Sequence, residues 1–226
     1  MTFEQGQRQI SMLLDMQRCR HLEQFASKGS DDVCRNTIYN PSNGYIPRAF
    51  GGAKCTLEDV KLVIVSNGPT DPIDNESYLA SPEEDLSLLL ADRYLSSEPR
   101  SIHTNLRSFL SLVFPDLAGQ LETQLTRVWV TNSVHCTFSE NVKIAERRRC
   151  ARANLFRHME LSSNPAVVLA GSQPQKISRQ LSEAFPDIQI IKCHSFSSPF
   201  PNGKSFAEES WCEAAKRVRA QIEGCS

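Results

Sequence analysis

The chain has 226 residues and a formal net charge of -1, with 40% hydrophobic and 23% charged residues. These values are typical of an ordinary soluble protein with a core large enough for one α/β domain. No apolar run approaches the length of a membrane span, which argues against a membrane protein. The net charge neither excludes nor supports nucleic-acid binding, because a local basic patch supplies that affinity. We expect a single domain over residues 1–226, with residues 1–33 as an N-terminal helical extension.

The cysteine content indicates a reducing compartment. The chain has 8 cysteines, and its first residues, MTFEQGQRQI, lack the basic-then-apolar pattern of a secretory signal. Cysteines without such a signal favour metal binding or free thiols over a disulfide framework. We therefore expect a cytoplasmic protein.

The first part of the chain leads to a strand and a glycine-containing turn. Apolar spacing predicts a helix over residues 7–27, and Asn-Pro, Asn-Gly and Gly-Gly pairs predict a loop over residues 35–53. The first strand is predicted at residues 61–65, and it runs into the turn Ser66-Asn67-Gly68-Pro69-Thr70-Asp71-Pro72. A glycine after a buried strand lets the backbone approach a ligand closely.

The remaining elements alternate between helices and strands. Helices are predicted at residues 82–95, 101–114, 143–161 and 208–222. Further strands are predicted around Trp129 and at residues 166–170 and 188–192. This alternation predicts a three-layer α/β/α sandwich with a central four-stranded parallel sheet.

Polar turns follow three of these strands, at residues 66–72, 131–136 and 193–199. Ligands of open parallel sheets bind beyond the carboxyl ends of the strands, so the chemistry is expected on these turns. Asn132 ends the Trp129 strand, where its amide could offer both a donor and an acceptor to a planar polar ligand. The alternative is that Asn132 only caps the following turn.

The three turns resemble motifs of the uracil-DNA glycosylase superfamily, most closely its iron–sulfur-containing, thermophile-type branch (family four). The G-E-x-P-G turn of that branch is similar to Ser66-Asn67-Gly68-Pro69-Thr70, and its T-N-x-V-K-C strand end is similar to Thr131-Asn132-Ser133-Val134-His135-Cys136. Its H-P-S turn is similar to His194-Ser195-Phe196, and its cysteine on the helix after the T-N motif is matched by Cys150. The resemblance covers about residues 34–222.

The resemblance implies roles for the turn residues in cleaving an N-glycosidic bond. Asn132 would read the edge of a flipped uracil, and His194 would donate to the oxyanion that develops at O2. Asn67 would position the attacking water, with the backbone of Gly68 and Pro69 close to the base. Tyr78 (or Phe50) would stack on the base, the alternative being an exposed loop aromatic.

Three positions depart from the family pattern. Asn67 replaces an acidic residue, and an amide can orient water but cannot accept its proton. Asp71 could take over as the base, or it could be a simple turn residue. Ser195 replaces the proline of the H-P-S turn, and His135 replaces a lysine. These changes are compatible with a slower enzyme, an altered base preference or a member that binds without cutting.

The resemblance also implies a [4Fe–4S] cluster, which needs four thiolates. Cys136 and Cys150 match the two downstream ligands, and Cys34 lies at a plausible distance before the first strand. The close C-x-x-C pair of the family is absent, so Cys19 is the expected fourth ligand, with Cys55 as its competitor. The cluster would tie the N-terminal helix to the strand that presents Asn132. The alternative is that these cysteines are small buried hydrophobes.

Two regions are candidates for contact with the DNA backbone. In the loop after His194, contacts are expected from Ser195, Phe196, Ser197 and Lys204, with the Phe196 and Phe200 rings as wedges or, alternatively, as packing for the closing helix. The second region is the basic run Arg147-Arg148-Arg149 and Arg152, which would either bind phosphates or form a solvated helix face.

The sequence therefore predicts a monofunctional DNA glycosylase that removes uracil, or another deaminated base, from DNA in base excision repair. We expect it to act as a monomer, nucleoid-associated if prokaryotic. The alternative is a weak or inactive nucleic-acid- or nucleotide-binding member of the same fold.

Overall fold

The computed structural model describes residues 57–69, 101–197, 200 and 202–224, with isolated positions before them at 19, 34, 36–38, 40, 43, 45, 47 and 51–52. The described strands are β1 (Thr37–Ile38), β2 (Gly51–Gly52), β3 (Leu62–Ser66), β4 (Val128–Asn132), β5 (Thr137–Phe138), β6 (Ala166–Ala170) and β7 (Ile190–Cys193). The described helices are α1 (Ser101–Val113), α2 (Leu121–Leu125), α3 (Ile144–Cys150), α4 (Phe156–Glu160), α5 (Ser172–Gln175), α6 (Ser178–Ala184) and α7 (Lys204–Gly224).

The central sheet has the strand order β2-β4-β3-β6-β7. Its four longer strands are parallel, which confirms the predicted parallel sheet within an α/β/α sandwich. The structure adds β2, a short antiparallel edge strand on β4. Gly52 allows this pairing, because its φ is +91° and a Cβ there would lie 2.0 Å from the Val128 carbonyl oxygen. The Gly-Gly pair, predicted as part of a loop, is therefore a strand.

The two faces of the sheet carry separate cores. Residues with even numbers in β3 and β4, such as Ile64 and Val130, pack under α1 and α7 together with Trp211. Residues with odd numbers in the same strands, such as Val63 and Trp129, pack under the helix that contains α3 and α4. This alternation follows from the two-residue period of a strand. We call the two sides the α1/α7 face and the α3/α4 face.

Several elements differ in detail from the sequence-based expectation. The basic helix predicted at residues 143–161 contains a π-helical turn, Ala151–Leu155, between α3 and α4. The closing helix begins at Lys204 rather than 208, and the last strand is Ile190–Cys193. The helix predicted at residues 82–95 lies outside the described residues, as does nearly all of that predicted at 7–27. No helix among the described residues combines the length and apolarity needed to cross a bilayer.

Candidate functional site

The polar turns that follow three parallel strands lie at one edge of the sheet. Ser66 at the end of β3 is in register with Asn132 at the end of β4. On the other side of β3, Ala170 of β6 is in register with Cys193, the last residue of β7. The turns at Asn67, Ser133 and His194 therefore begin at the same carboxyl edge, where ligands of parallel sheets bind.

The Asn67 turn is held tightly against the residues that follow β4. The Ser133 N–H donates to the Ser66 carbonyl at 2.8 Å, and the Ser133 hydroxyl donates to the Asn67 carbonyl at 2.7 Å. A Cβ on Gly68 would lie 2.7 Å from Cγ2 of Val134, so only glycine fits this approach without a shift. The side chain of Asn67 itself is exposed, which leaves its amide available at the surface.

Asn132 is buried at the end of β4, with 1% of its surface exposed. It has the same strand parity as Val128 and Val130, which belong to the core under α1 and α7. Strand alternation therefore directs Asn132 toward the α1/α7 face, and Ser133 toward the opposite face. At this position Asn132 is therefore a fixed buried amide and not a mobile surface side chain.

His194 is fixed by α7 through both ends of its backbone. Its N–H donates to the Ser210 hydroxyl at 3.0 Å, and its carbonyl accepts from Nε1 of Trp211 at 3.0 Å. Its half-buried ring packs edge-on against Phe206, with ring centroids 5.0 Å apart, and Phe206 is 47% exposed. Phe206 and Ser210 are not among the site residues predicted from the sequence, although their spacing of one helical turn places them on one side of the closing helix.

Asn132 and His194 are on strands that are not neighbours. Strand alternation directs Asn132 toward the α1/α7 face, whereas His194 is related to that face by the contact of its ring with Phe206 of α7, since Cys193 is the β7 residue that packs in the α1/α7 core. β3 and β6 separate β4 from β7. Three strand spacings correspond to about 14 Å between the two strand ends. The two residues are therefore too far apart along the sheet edge to form a hydrogen bond with each other.

The loop after His194 corrects one expected DNA contact. Phe196 is only 1% exposed, with its ring 5.1 Å from Phe109 and 5.5 Å from Trp211. Its carbonyl also accepts a hydrogen bond from Nδ2 of Asn105 at 2.7 Å. The prediction that Phe196 contacts or wedges into DNA is therefore wrong for this structure, because the ring fills the core under α7.

The other residues of that loop remain at the surface. The hydroxyl groups of Ser195 and Ser197 lie 3.0 Å apart, and the Ser197 N–H donates to Ser195 at 3.1 Å. Phe200 is half-buried against Trp211. Lys204 is exposed, and its ammonium lies 3.5 Å from the Glu208 carboxylate. Such an exposed pair is weak, so Lys204 remains free to meet a phosphate.

The cysteines expected to bind a cluster influence one another electrostatically. Burial, followed by the Cys19 thiol, raises the pKa of Cys34. Burial raises the pKa of Cys150 to about 12, and the nearby thiols of Cys19 and Cys34 add to this effect. Cys136 is buried in the turn after β4. Cys19, Cys34 and Cys150 therefore share one neighbourhood.

The sulfur of Cys150 also receives hydrogen bonds. Nδ2 of Asn154, within the π-helical turn, donates to it at 3.6 Å, and the His135 backbone forms a second bond. π-helical turns often occur at functional sites. Among the described residues, no three His, Cys, Asp or Glu side chains form a site for a single metal ion. A four-iron cluster differs from such a site, because each thiolate binds a different iron atom.

Two buried histidines pack against each other: His135 in the turn after β4, and His158 on α4. Nε1 of Trp129 donates to Nδ1 of His158 at 3.0 Å, and the His158 ring is 6.0 Å from that of His135. Burial, the neighbouring His135 and Arg157 hold the pKa of His158 well below its usual range. His158 is therefore neutral in the folded protein, which fits a hydrogen-bond acceptor in an apolar core.

The basic run on α3 is not uniform. Arg148 and Arg152 are exposed, as expected for a solvated helix face, but Arg147 is only 2% exposed. Nη1 of Arg147 donates to the Asn67 carbonyl at 3.1 Å and to the Ser133 hydroxyl. Arg147 therefore links the α3/α4 face to the turn that carries Asn67.

Four residues of interest from the sequence lie outside the described residues: Asp71, Tyr78, Phe50 and Cys55. The candidate catalytic and base-binding residues that the structure describes are Asn67, Gly68, Pro69, Asn132 and His194. No protein-family model matches the chain, and no curated protein matches it.

Proposed function

We propose that this chain is a monofunctional DNA glycosylase that hydrolyses the N-glycosidic bond of uracil, or of another deaminated base, in DNA for base excision repair. The observation that supports the proposal is that Asn132 and His194 stand at the carboxyl ends of two strands at one sheet edge, with the His194 ring against α7, the helix that covers the face toward which Asn132 is directed. The Asn67 turn follows β3, which lies between their strands in the sheet. A flipped base needs groups that grip its edge and a donor for the leaving oxyanion, and these side chains supply both.

Hydrolysis of the N-glycosidic bond needs an attacking water and a hydrogen-bond donor for the departing base anion. A water oxygen bonds to C1′ of the sugar while the C1′–N bond breaks, and the electron pair of that bond leaves with the base. The base anion is delocalised onto its O2 oxygen, where the His194 imidazole would donate a hydrogen bond. One preorganised donor of this kind contributes about 3 kcal/mol to transition-state stabilisation. The bonds from α7 to the His194 backbone keep that donor in place.

Asn67 would hold the attacking water through its exposed amide. Its backbone carbonyl is already engaged by Ser133 and Arg147, so the turn that presents the amide is fixed. An amide does not take up the water proton. Asp71, four residues further along the chain, is the proposed acceptor, and overall one proton of the water ends on the released base.

We also propose a [4Fe–4S] cluster held by Cys19, Cys34, Cys136 and Cys150. The mutual electrostatic effects of Cys19, Cys34 and Cys150 support the grouping of these three thiols. Cys55, the competitor of Cys19 for the fourth place, lies outside the described residues. The hydrogen bond from Asn154 to the Cys150 sulfur suits a thiolate. The cluster would supply cross-linking, not bond cleavage, and would join the N-terminal segment to the turn after β4.

A base-release assay on uracil- and hypoxanthine-containing oligonucleotides tests the proposed activity. We expect free base from the wild-type chain and none above background from the Asn132→Ala, His194→Ala double variant. Because Asn132 is buried, the single variant His194→Gln is measured beside it, with thermal unfolding to show that both are folded. Equal base release by the wild type and the folded variants would contradict the proposed roles.

Iron and acid-labile sulfide analysis of anaerobically purified protein tests the cluster. We expect about four iron and four sulfide atoms per chain, with loss of both in Cys34→Ser and Cys150→Ser. Cys193→Ser is the matched control, because Cys193 is also buried but belongs to the core of the α1/α7 face. Iron retained in the first two variants, or lost equally in all three, would contradict the ligand set.

A non-catalytic nucleic-acid-binding role is the second candidate. It is favoured by one observation, that an amide occupies position 67 where the family motif has an acid. This role predicts wild-type affinity for uracil-containing DNA without any base release. Measuring DNA affinity beside the base-release assay therefore distinguishes the two candidates.

A further inference from the structure

A cavity of about 260 Å³ lies beside the Asn67 turn, on the side that faces α3. Its wall includes the Asn67-Gly68-Pro69 turn, Cys136, Glu140, Arg147 and Gln173. Neither Asn132 nor His194 lines it. Arg147, Ser133 and the thiol neighbourhood place this cavity toward the α3/α4 face, whereas Asn132 is directed toward the α1/α7 face.

Arg147 contributes a buried positive charge to the wall of this cavity. Its side chain is 2% exposed, and burial lowers its pKa because the charged form is desolvated. Nη1 is engaged by Asn67 and Ser133, but Nε finds no hydrogen-bond partner among the described residues. A guanidinium has five N–H donors, so donors remain for a further acceptor.

The nearby carboxylates do not neutralise this charge. Glu146 precedes Arg147 in α3, and its Oε2 accepts from the backbone N–H of Lys143 at 2.8 Å. Glu140 at the cavity wall is exposed, and its Oε2 accepts from Nδ2 of Asn36 at 2.9 Å. No ion pair joins Arg147 to a carboxylate within the described part of the chain. Keeping a charge buried without an ion pair costs several kcal/mol. The electrostatic effect of Cys150 offsets part of this cost, and an entering anion would offset more of it.

We propose that this cavity is an oxyanion site in which Arg147 binds a phosphate group through its unengaged N–H donors. Arginine suits phosphate because its planar fork matches two of the oxygens. The phosphate belongs either to a nucleic-acid backbone or to free inorganic phosphate, which present the same oxygens. The site does not depend on the proposed glycosylase activity, since phosphate binding can be present whether or not a base is released.

Calorimetric titration of the full chain with inorganic phosphate at constant ionic strength tests the site. We expect saturable binding by the wild type, and binding weakened at least tenfold in Arg147→Gln, because a charge-assisted pair is lost. Arg148→Gln is the matched control, since this neighbouring arginine is exposed, and it should bind phosphate within about twofold of the wild type.

A second pair of variants keeps Arg147 intact, so the test does not depend on a variant of a buried residue folding. Gln173→Glu adds a negative charge to the cavity wall and should weaken phosphate binding by about tenfold through repulsion. Gln189→Glu makes the same change at an exposed position that is not among the lining residues, and should leave binding unchanged. Absence of saturable phosphate binding in the wild type, or equal binding in Gln173→Glu and Gln189→Glu, would overturn the proposal.

Competition identifies the source of the phosphate. A short abasic oligomer with natural phosphodiester links is compared with the same oligomer carrying uncharged methylphosphonate links. Displacement of inorganic phosphate by the first oligomer alone assigns the site to a nucleic-acid backbone. Displacement by neither, with phosphate binding intact, assigns it to free phosphate. Displacement by both oligomers would show that the cavity does not bind its ligand through the phosphate charge, and would overturn the proposal.

Discussion

The two faces of the sheet present opposite chemistry at the same edge. Toward the α1/α7 face, the described groups are a buried amide, an imidazole fixed by α7 and an exposed aromatic ring. Toward the α3/α4 face, the described groups are the buried guanidinium of Arg147 and the thiols of Cys34, Cys136 and Cys150, of which the first two are buried. Neutral hydrogen-bonding groups suit the edge of a base, whereas a desolvated cation suits an anion. The sheet keeps these two environments apart, and the Asn67 turn follows β3, which lies between β4 and β6 in the sheet.

The largest effect is expected from His194→Ala, which removes the proposed donor at the α1/α7 face and leaves the cavity at Arg147 unchanged. Loss of a preorganised donor to the base oxyanion should slow base release by about 100- to 1000-fold. Phosphate binding at Arg147 should stay at the wild-type level, because His194 does not line that cavity. Single-turnover base release and phosphate calorimetry on the same preparation check this. A parallel loss of both properties would mean that the two faces are not independent.

Gly68→Ala should disturb the Asn67 turn, because Gly68 packs closely against the residues that follow β4. The added Cβ would lie 2.7 Å from Cγ2 of Val134, an overlap that requires a shift. We expect a loss of about 1–3 kcal/mol in the free energy of unfolding, together with slower base release. Thermal and denaturant unfolding measure the first effect.

The double variant Gly68→Ala, Val134→Ala is the control for that overlap. Removing the Val134 methyl groups should restore part of the lost stability, with a coupling energy of at least about 0.5 kcal/mol. Additive effects of the two substitutions would show that the contact with Val134 is not the cause.

His158 makes stability under the α3/α4 face depend on pH. Its pKa is depressed in the folded chain, so the unfolded chain binds more protons below about pH 6.5, the usual His pKa. Stability should therefore fall as pH decreases below about 6.5, by up to about 1.4 kcal/mol per pH unit, until the folded-state pKa is reached. Above about pH 6.5, His158 does not contribute to the pH dependence of the free energy of unfolding.

The variant His158→Gln should remove this part of the pH dependence while keeping an acceptor for the Trp129 N–H. Denaturant unfolding between about pH 5 and 7.5 measures the difference between variant and wild type across the usual His pKa. Identical slopes in the two proteins would contradict a buried neutral His158.

The smallest effect is expected from Ser210→Ala, which removes the acceptor for the His194 N–H. We expect a loss of about 1 kcal/mol in stability and a severalfold decrease in the rate of base release. Ser205→Ala, an exposed serine of the same helix, is the matched control. The rate should recover in Ser210→Thr, which keeps a hydroxyl. Equal rates in the two alanine variants would show that Ser210 does not position His194.

Much of the fold is readable from local pattern. Four short β-branched runs alternate with amphipathic segments, and these runs became the four parallel strands. The order of strands in the sheet was not readable, because pairing between β3 and β4 spans more than sixty residues along the chain (Leu62 with Val128). The edge strand β2 was missed for a related reason, since two glycines form a strand only where a partner strand is already in place.

The sequence alone determined which chemical groups stand at the strand ends, because strand periodicity and turn residues are local properties of the chain. Only the tertiary structure decided which of those groups are buried and which face they serve. Phe196 and Arg147 illustrate this, since a loop phenylalanine became core and one arginine in a run of three became a buried cation. Burial depends on what packs from elsewhere in the chain, so no short stretch of sequence contains it.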